Sequence, residues 1–144
     1  MSVLRTAVAA DIPGIFDVRY AVTENTLQRG RISDEEVLES ITTTGRGWVV
    51  EQAGHVVGFA IGNAQTGNIF ALFVHPDHAG VGHGRRLHDA MVDWLWEQGL
   101  ERLWLSTGEG TRAQGFYQAA GWQACGHTEQ GEVRFERYKQ KGEA

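Results

Sequence analysis

Apolar positions along the chain fall first into a helical period, then into extended runs, and then alternate between the two. Val3, Leu4 and Arg5 predict a short opening strand. Ile12, Ile15, Phe16 and Tyr20 recur at the spacing of one helical face, with Asp11 as the cap and Pro13 tolerated in the first turn. Ser33-Asp-Glu-Glu36 has the form of a capping box, and Val37, Leu38 and Ile41 follow as the inner stripe of a second helix. After Gly45 the period shortens to that of strands, at 48–51 and 56–61, with a turn at Ala53-Gly54. A second turn at 65–68 leads into Ile69–Val74. The unbroken apolar character of that run predicts burial on both faces, as in the middle of a sheet, and Pro76 ends it.

The strongest helical pattern comes next. Leu87, Ala90, Met91, Trp94 and Leu95 share one face, and Gly99 closes the helix. Leu103-Trp-Leu105 is a further strand, 111–120 a short helix stopped by Gly121, and 122–126 and 133–138 are two last strands. The order β-α-α-β-β-β-α-β-α-β-β predicts an α/β domain over residues 1–144, a mixed central sheet with helices on both faces.

Composition narrows the class. With 144 residues, 42% hydrophobic and 22% charged, the chain matches one ordinary globular domain and is too apolar for a disordered segment. A net charge of -5 disfavours nucleic acid and anionic membrane as partners, because both need clustered cations, and mildly favours a cationic acceptor. A lone cysteine, Cys125, forms no internal disulfide and reads as a small buried hydrophobe in a reducing compartment. The N-terminal residues lack the apolar core of a signal peptide, and no apolar run is long enough to span a bilayer. The expected location is cytoplasmic.

Chemistry concentrates after the fourth strand, in Val74-His-Pro-Asp-His-Ala-Gly-Val-Gly-His-Gly-Arg-Arg86. The glycines at 80, 82 and 84 open directly into a helix, whose first N–H groups have no intrahelical partner and point along the positive end of its dipole. Such a loop accepts an anion at close range, and Arg85 and Arg86 add charged donors to a phosphate site. The bland alternative is that the glycines serve only a tight strand-to-helix turn. A dinucleotide fingerprint does not fit: the spacing is G-x-G-x-G, the loop follows the fourth strand rather than the first, and the acid at the required distance, Glu101, precedes its strand.

Val74-His-Pro76, the Gly80-Val-Gly-His-Gly84 loop and Thr111-Arg-Ala-Gln-Gly-Phe-Tyr117-Gln-Ala-Ala-Gly-Trp122 together resemble the GNAT superfamily of N-acetyltransferases, over nearly the whole chain. The resemblance implies acetyl-CoA as co-substrate; no metal is expected. The diphosphate would be held by Val81, Gly82, His83, Gly84 and Arg85. The pantetheine arm would pair with the backbone of Leu72 and Val74, in a splay between the fourth and fifth strands. It also implies Tyr117 as the acid that protonates the departing thiolate. Three positions depart from the family pattern: Ala79 where Arg or Gln is usual, His83 where a small aliphatic residue is common, and Gly110 in place of a frequent asparagine.

Transfer to an amine needs a neutral nucleophile, stabilisation of an anionic tetrahedral intermediate and a proton for the thiolate. The N–H near Val74 is the family-like oxyanion donor. A phenol pKa of about 10 lies near that of an alkyl thiol, which suits Tyr117; the alternative is a tyrosine that only packs. No carboxylate stands in Ile69–Val74, where many relatives carry glutamate. Glu24, just after the first helix, is the best base candidate, against the alternative of a solvated helix-end acid; Glu109 is the second. His75, His78, His83 and His88 do not present a ligand pair on one helical face and read as structural or surface residues. Trp94, Trp96 and Trp104 read as core, while Trp48 and Trp122 belong either to the core or to the border of an acceptor pocket.

The expected activity is acetyl transfer to the primary amine of a small molecule, with a protein N-terminus or lysine as the second acceptor class. A CoA-binding module without turnover is the competing reading, motivated by the missing strand carboxylate, Ala79 and Gly110. A homodimer is compatible with the edge offered by the last strands.

Overall fold

The computed structural model describes residues 2–22 and 32–140. Strand β1 (Ser2–Thr6) is followed by a 3-10 turn and helix α1 (Ile12–Ala21), then α2 (Asp34–Thr42), β2 (Gly45–Gln52), β3 (His55–Asn63) and β4 (Ile69–Val74). Helix α3 (His83–Glu97), β5 (Arg102–Thr107), α4 (Arg112–Ala119), β6 (Gln123–His127) and β7 (Val133–Tyr138) complete the order. This is the α/β arrangement that the periodicity predicts.

Strands pair in two antiparallel groups, β1-β2-β3-β4 and β5-β7-β6. Among the described residues the groups meet at one parallel bridge, between Asn68 and Trp104. There the Trp104 N–H donates to the Gly67 carbonyl at 3.0 Å, and the Asn68 amide donates to the Trp104 carbonyl at 3.3 Å. Gly67, at φ +78, permits this approach, since a Cβ there would lie 2.5 Å from the Arg102 carbonyl oxygen. Beyond the bridge β4 and β5 run side by side unpaired. β4 is therefore not a central strand buried on both faces: Leu72, Phe73 and Val74 are only half-buried because this edge borders an opening.

The sheet separates two cores. Val49, Phe59, Ile61 and Ala71 face α1 and α2, whereas Trp48, Val50 and Ala60 face α3 and, through it, α4 and the second strand group. Leu87, Met91 and Leu95 of α3 are fully buried, each contributing about 1.5–3 kcal/mol by leaving water. On α1 the inner stripe is Ile12, Ile15 and Val18; Tyr20 lies out of phase, is 66% exposed and stacks on Phe16. Leu38 of α2 likewise turns outward beside buried Val37.

Asp11 does not cap α1 with its side chain. Its carboxylate turns back to accept the Val8 N–H and both arms of the Arg5 fork, each at 2.8 Å. The Ser33 capping box forms as the sequence predicts, Ser33 Oγ accepting from the Glu36 N–H and the Glu36 carboxylate from the Ser33 N–H, both at 3.1 Å. Cys125 is exposed rather than buried, because β6 is an edge strand with every residue open to solvent. No helix among the described residues is long and apolar enough to cross a membrane.

Candidate active site

The site is built by the passage from β4 into α3. His75 donates its N–H to the Val57 carbonyl at 2.8 Å, so the amides of His75 and Phe73 face β3. By the two-residue alternation of a strand, the N–H and C=O groups of Leu72 and Val74 face the open side, toward β5. Past the turn Pro76–His78, Gly80 and Gly82 take φ values of +82 and +95. Gly82 is the N-cap of α3 and has no side chain with which to satisfy the first amides, which are thus left pointing outward. The tight-turn role and the anion-accepting role of these glycines are served by one conformation.

These groups border a cleft of about 500 Å³ that runs from Val22 past Leu72, Phe73 and Val74 to the α3 N-terminus, with Arg112, Ala113, Phe116 and Tyr117 of α4 as the facing wall. Of the residues singled out by sequence, Leu72, Val74, Gly82, His83, Gly84, Arg85 and Tyr117 come together here. Val81 does not line the cleft and is 69% exposed on the outer side of the loop. Glu24 lies outside the described residues. Glu109 is exposed and faces His127 at 3.6 Å, away from the cleft lining. Sequence reasoning missed His78, Arg112 and Phe116. The 113, 116, 117 spacing on α4 carried the signal for Phe116, since those residues share a face with Tyr117.

The charges of the lining have one sign. Arg85, Arg112 and the histidines 78 and 83 border the cleft, and among the described residues no carboxylate does. An acidic chain thus presents a cation-lined cleft, which suits an anionic ligand at the α3 end. Gly84 keeps that end open: a Cβ there would rest against Phe116 and Val74 at 3.6 and 3.7 Å, narrowing the cleft without a clash. Gly110, at φ +79, donates its N–H to the Gln114 side chain at 2.7 Å and thereby steadies the start of α4.

Tyr117 is 5% exposed and sits edge-on to Phe116 and Trp122, with ring centroids 5.3 and 5.5 Å away. Burial pushes its phenol well above the ordinary value, so it keeps its proton throughout the neutral range. Trp122 in turn donates its indole N–H to His88 Nε2 at 3.0 Å, while His88 Nδ1 lies 2.8 Å from the Asp89 carboxylate. An indole only donates, so Nε2 must be the acceptor and Nδ1 carries the hydrogen toward Asp89. Burial holds His88 below the usual imidazole value, which keeps it in that neutral form. Trp48 and Trp122 both belong to the larger core and neither lines the cleft. No group of three potential metal ligands occurs among the described residues.

The family model described as "Acetyltransferase (GNAT) family" matches residues 15–122. No curated protein matches the sequence. Among solved structures, PaiA N-acetyltransferase from Thermoplasma acidophilum in complex with coenzyme A superposes with a TM-score of 0.82 at 13% identity, covering 96% of this chain and 99% of that one. The ribosomal-protein-S18-alanine N-acetyltransferase of Escherichia coli gives 0.73 at 20% identity, with 94% and 91% covered. The ribosomal-protein-alanine N-acetyltransferase of Brucella melitensis gives 0.79 at 21% identity, with 95% and 99% covered.

Proposed function

The chain belongs to the acetyltransferase (GNAT) family, whose members are acetyl-CoA-dependent N-acetyltransferases, and from that premise we propose that it acetylates the primary amine of a small molecule in the β4–β5 opening. The observation that carries this reading is the cleft itself: open backbone groups on β4, a glycine-capped helix N-terminus, cationic lining and a buried neutral phenol along one channel.

Acetyl-CoA supplies the activated acetyl group. In this reading the α3 amides and Arg85 hold its diphosphate, and Leu72 and Val74 pair with the pantetheine amides. The Val74 N–H donates to the carbonyl oxygen as negative charge gathers there. Tyr117, whose proton burial holds more firmly than a free phenol's, gives it to the departing sulfur as negative charge gathers there. No described cleft residue is a carboxylate, so the base that leaves the amine neutral is assigned to Glu24, acting directly or through water.

The test is CoA release from acetyl-CoA across a panel of small amines and of peptides with a free N-terminal alanine. Turnover with small amines supports the reading. Turnover with the peptides alone replaces it by protein acetylation, the activity for which two of the solved relatives are named. Acetyl-CoA binding without release for any acceptor would leave a binding module.

A further inference from the structure

His83 stands at the first position of α3, between Gly82 and Gly84, and lines the cleft together with both of them. It is 94% buried by its 6% relative exposure, yet neither ring nitrogen has a hydrogen-bond partner among the described residues. It is the one described residue whose buried side-chain polar atoms are left this way. Buried polar groups are nearly always paired, so an orphaned imidazole beside a helix N-terminus asks for a partner that arrives with a ligand. His88 shows the contrast on the same helix: more deeply buried still, it is bonded at both nitrogens.

The surroundings determine the kind of partner. The charged groups that bear on the ring are Arg86 from its own helix and His78 from the turn after β4, both cationic or able to become so. Arg85 and Arg112 are the other cations of the lining, and no described carboxylate joins them. Burial and positive neighbours together hold the ring of the free protein below the ordinary imidazole value, so it takes a proton less readily than a free histidine. An anion on the α3 amides reverses that balance, because an opposite charge within about 4–6 Å favours the charged form. Diphosphate oxygens only accept hydrogen bonds, so the imidazole must meet them as a donor.

We propose that His83 is a proton-taking contact for the diphosphate of CoA: its ring donates a hydrogen bond to the bound anion and takes a proton from solvent as the nucleotide seats, so that cofactor affinity rises on acidification. The inference rests on the cofactor reading above and goes beyond backbone binding by the same residue.

The experiment is calorimetric titration of CoA into the protein in buffers of different ionisation enthalpy, from pH 8 to pH 6, for the native chain and for His83→Gln and His83→Val. Proton uptake by the CoA phosphates themselves is common to all three proteins, so the difference reports the ring. The native chain takes up a larger fraction of a proton than either variant, and its affinity gains up to about tenfold per pH unit over theirs. In parallel, the imidazole resonance that is missing in the variants moves to the protonated position when CoA is added. His83→Gln retains a polar side chain, which keeps the test intact where the apolar variant packs differently. Equal proton uptake in native and variant proteins, with CoA bound, overturns the His83 proposal and leaves the cofactor reading standing. Absence of CoA binding to the native chain overturns both.

Discussion

Tyr117 is enclosed on its edges by Phe116 and Trp122, and a phenylalanine in its place fills the same space. Tyr117→Phe is therefore expected to keep the fold and CoA binding while lowering turnover by about 10²–10⁴-fold, the usual worth of a positioned acid. Stopped-time CoA release beside a CoA titration checks it; unchanged turnover would return Tyr117 to a packing role. Glu24→Gln is expected to lower turnover most below the pH at which the amine loses its own proton, and a full pH–rate profile reads this. At this scale the sequence was legible wherever backbone conformation dictates residue type. Gly80 and Gly82 need positive φ, and a glycine-rich run before a helix announces it. It was illegible where position in the sheet decides. Nothing local to Cys125 tells that its strand forms an edge, and nothing near Asp11 tells that Arg5 claims its carboxylate.

Among the elements, α2 and α3 test opposite capping devices. Ser33→Ala removes one side of the reciprocal pair with Glu36 and is expected to cost about 1 kcal/mol, read by denaturant unfolding. Gly82→Ala places a Cβ at φ +95, a strain of about 1–3 kcal/mol, and is expected to weaken CoA binding by moving the first α3 amides. A variant with native affinity would show that those amides do not hold the cofactor. Element order and type follow from hydrophobic period alone, as α3 shows with Leu87, Met91 and Leu95 on one buried face. What period does not carry is the neighbour of each strand. The apolar run of β4 reads as a central strand, but part of its apolar surface lines a cleft instead of a core, and hydropathy treats the two alike.

For the whole molecule, buried imidazoles set the acid limb of stability. Burial first, then nearby cations, holds His83 below the ordinary value, and burial does the same for His88. The unfolded chain therefore binds protons that the folded chain refuses. Stability is full above about pH 7 and falls as pH drops below the unfolded value of about 6.5. Asp11 adds a later loss, since its bonds to Arg5 hold its carboxyl below the usual range, and that contribution disappears as pH falls through the folded value. Thermal unfolding from pH 8 to pH 5 without cofactor is expected to show a midpoint that declines on the acid side, less steeply in His83→Gln. A flat midpoint across that range would mean that neither imidazole is buried in its neutral form.

The bridge at Asn68 and Trp104 makes the opening between the strand groups a wedge with its apex at Gly67. A strand rises about 3.3 Å per residue, which puts Val74 roughly 20 Å from that apex. A tilt of roughly 3° at the apex displaces the far end by about 1 Å, and a misplacement of that size costs on the order of a hundredfold in rate. Gly67, outside the cleft lining, is then a lever on the site: a side chain there would push against the Arg102 carbonyl and be felt at the Val74 amide.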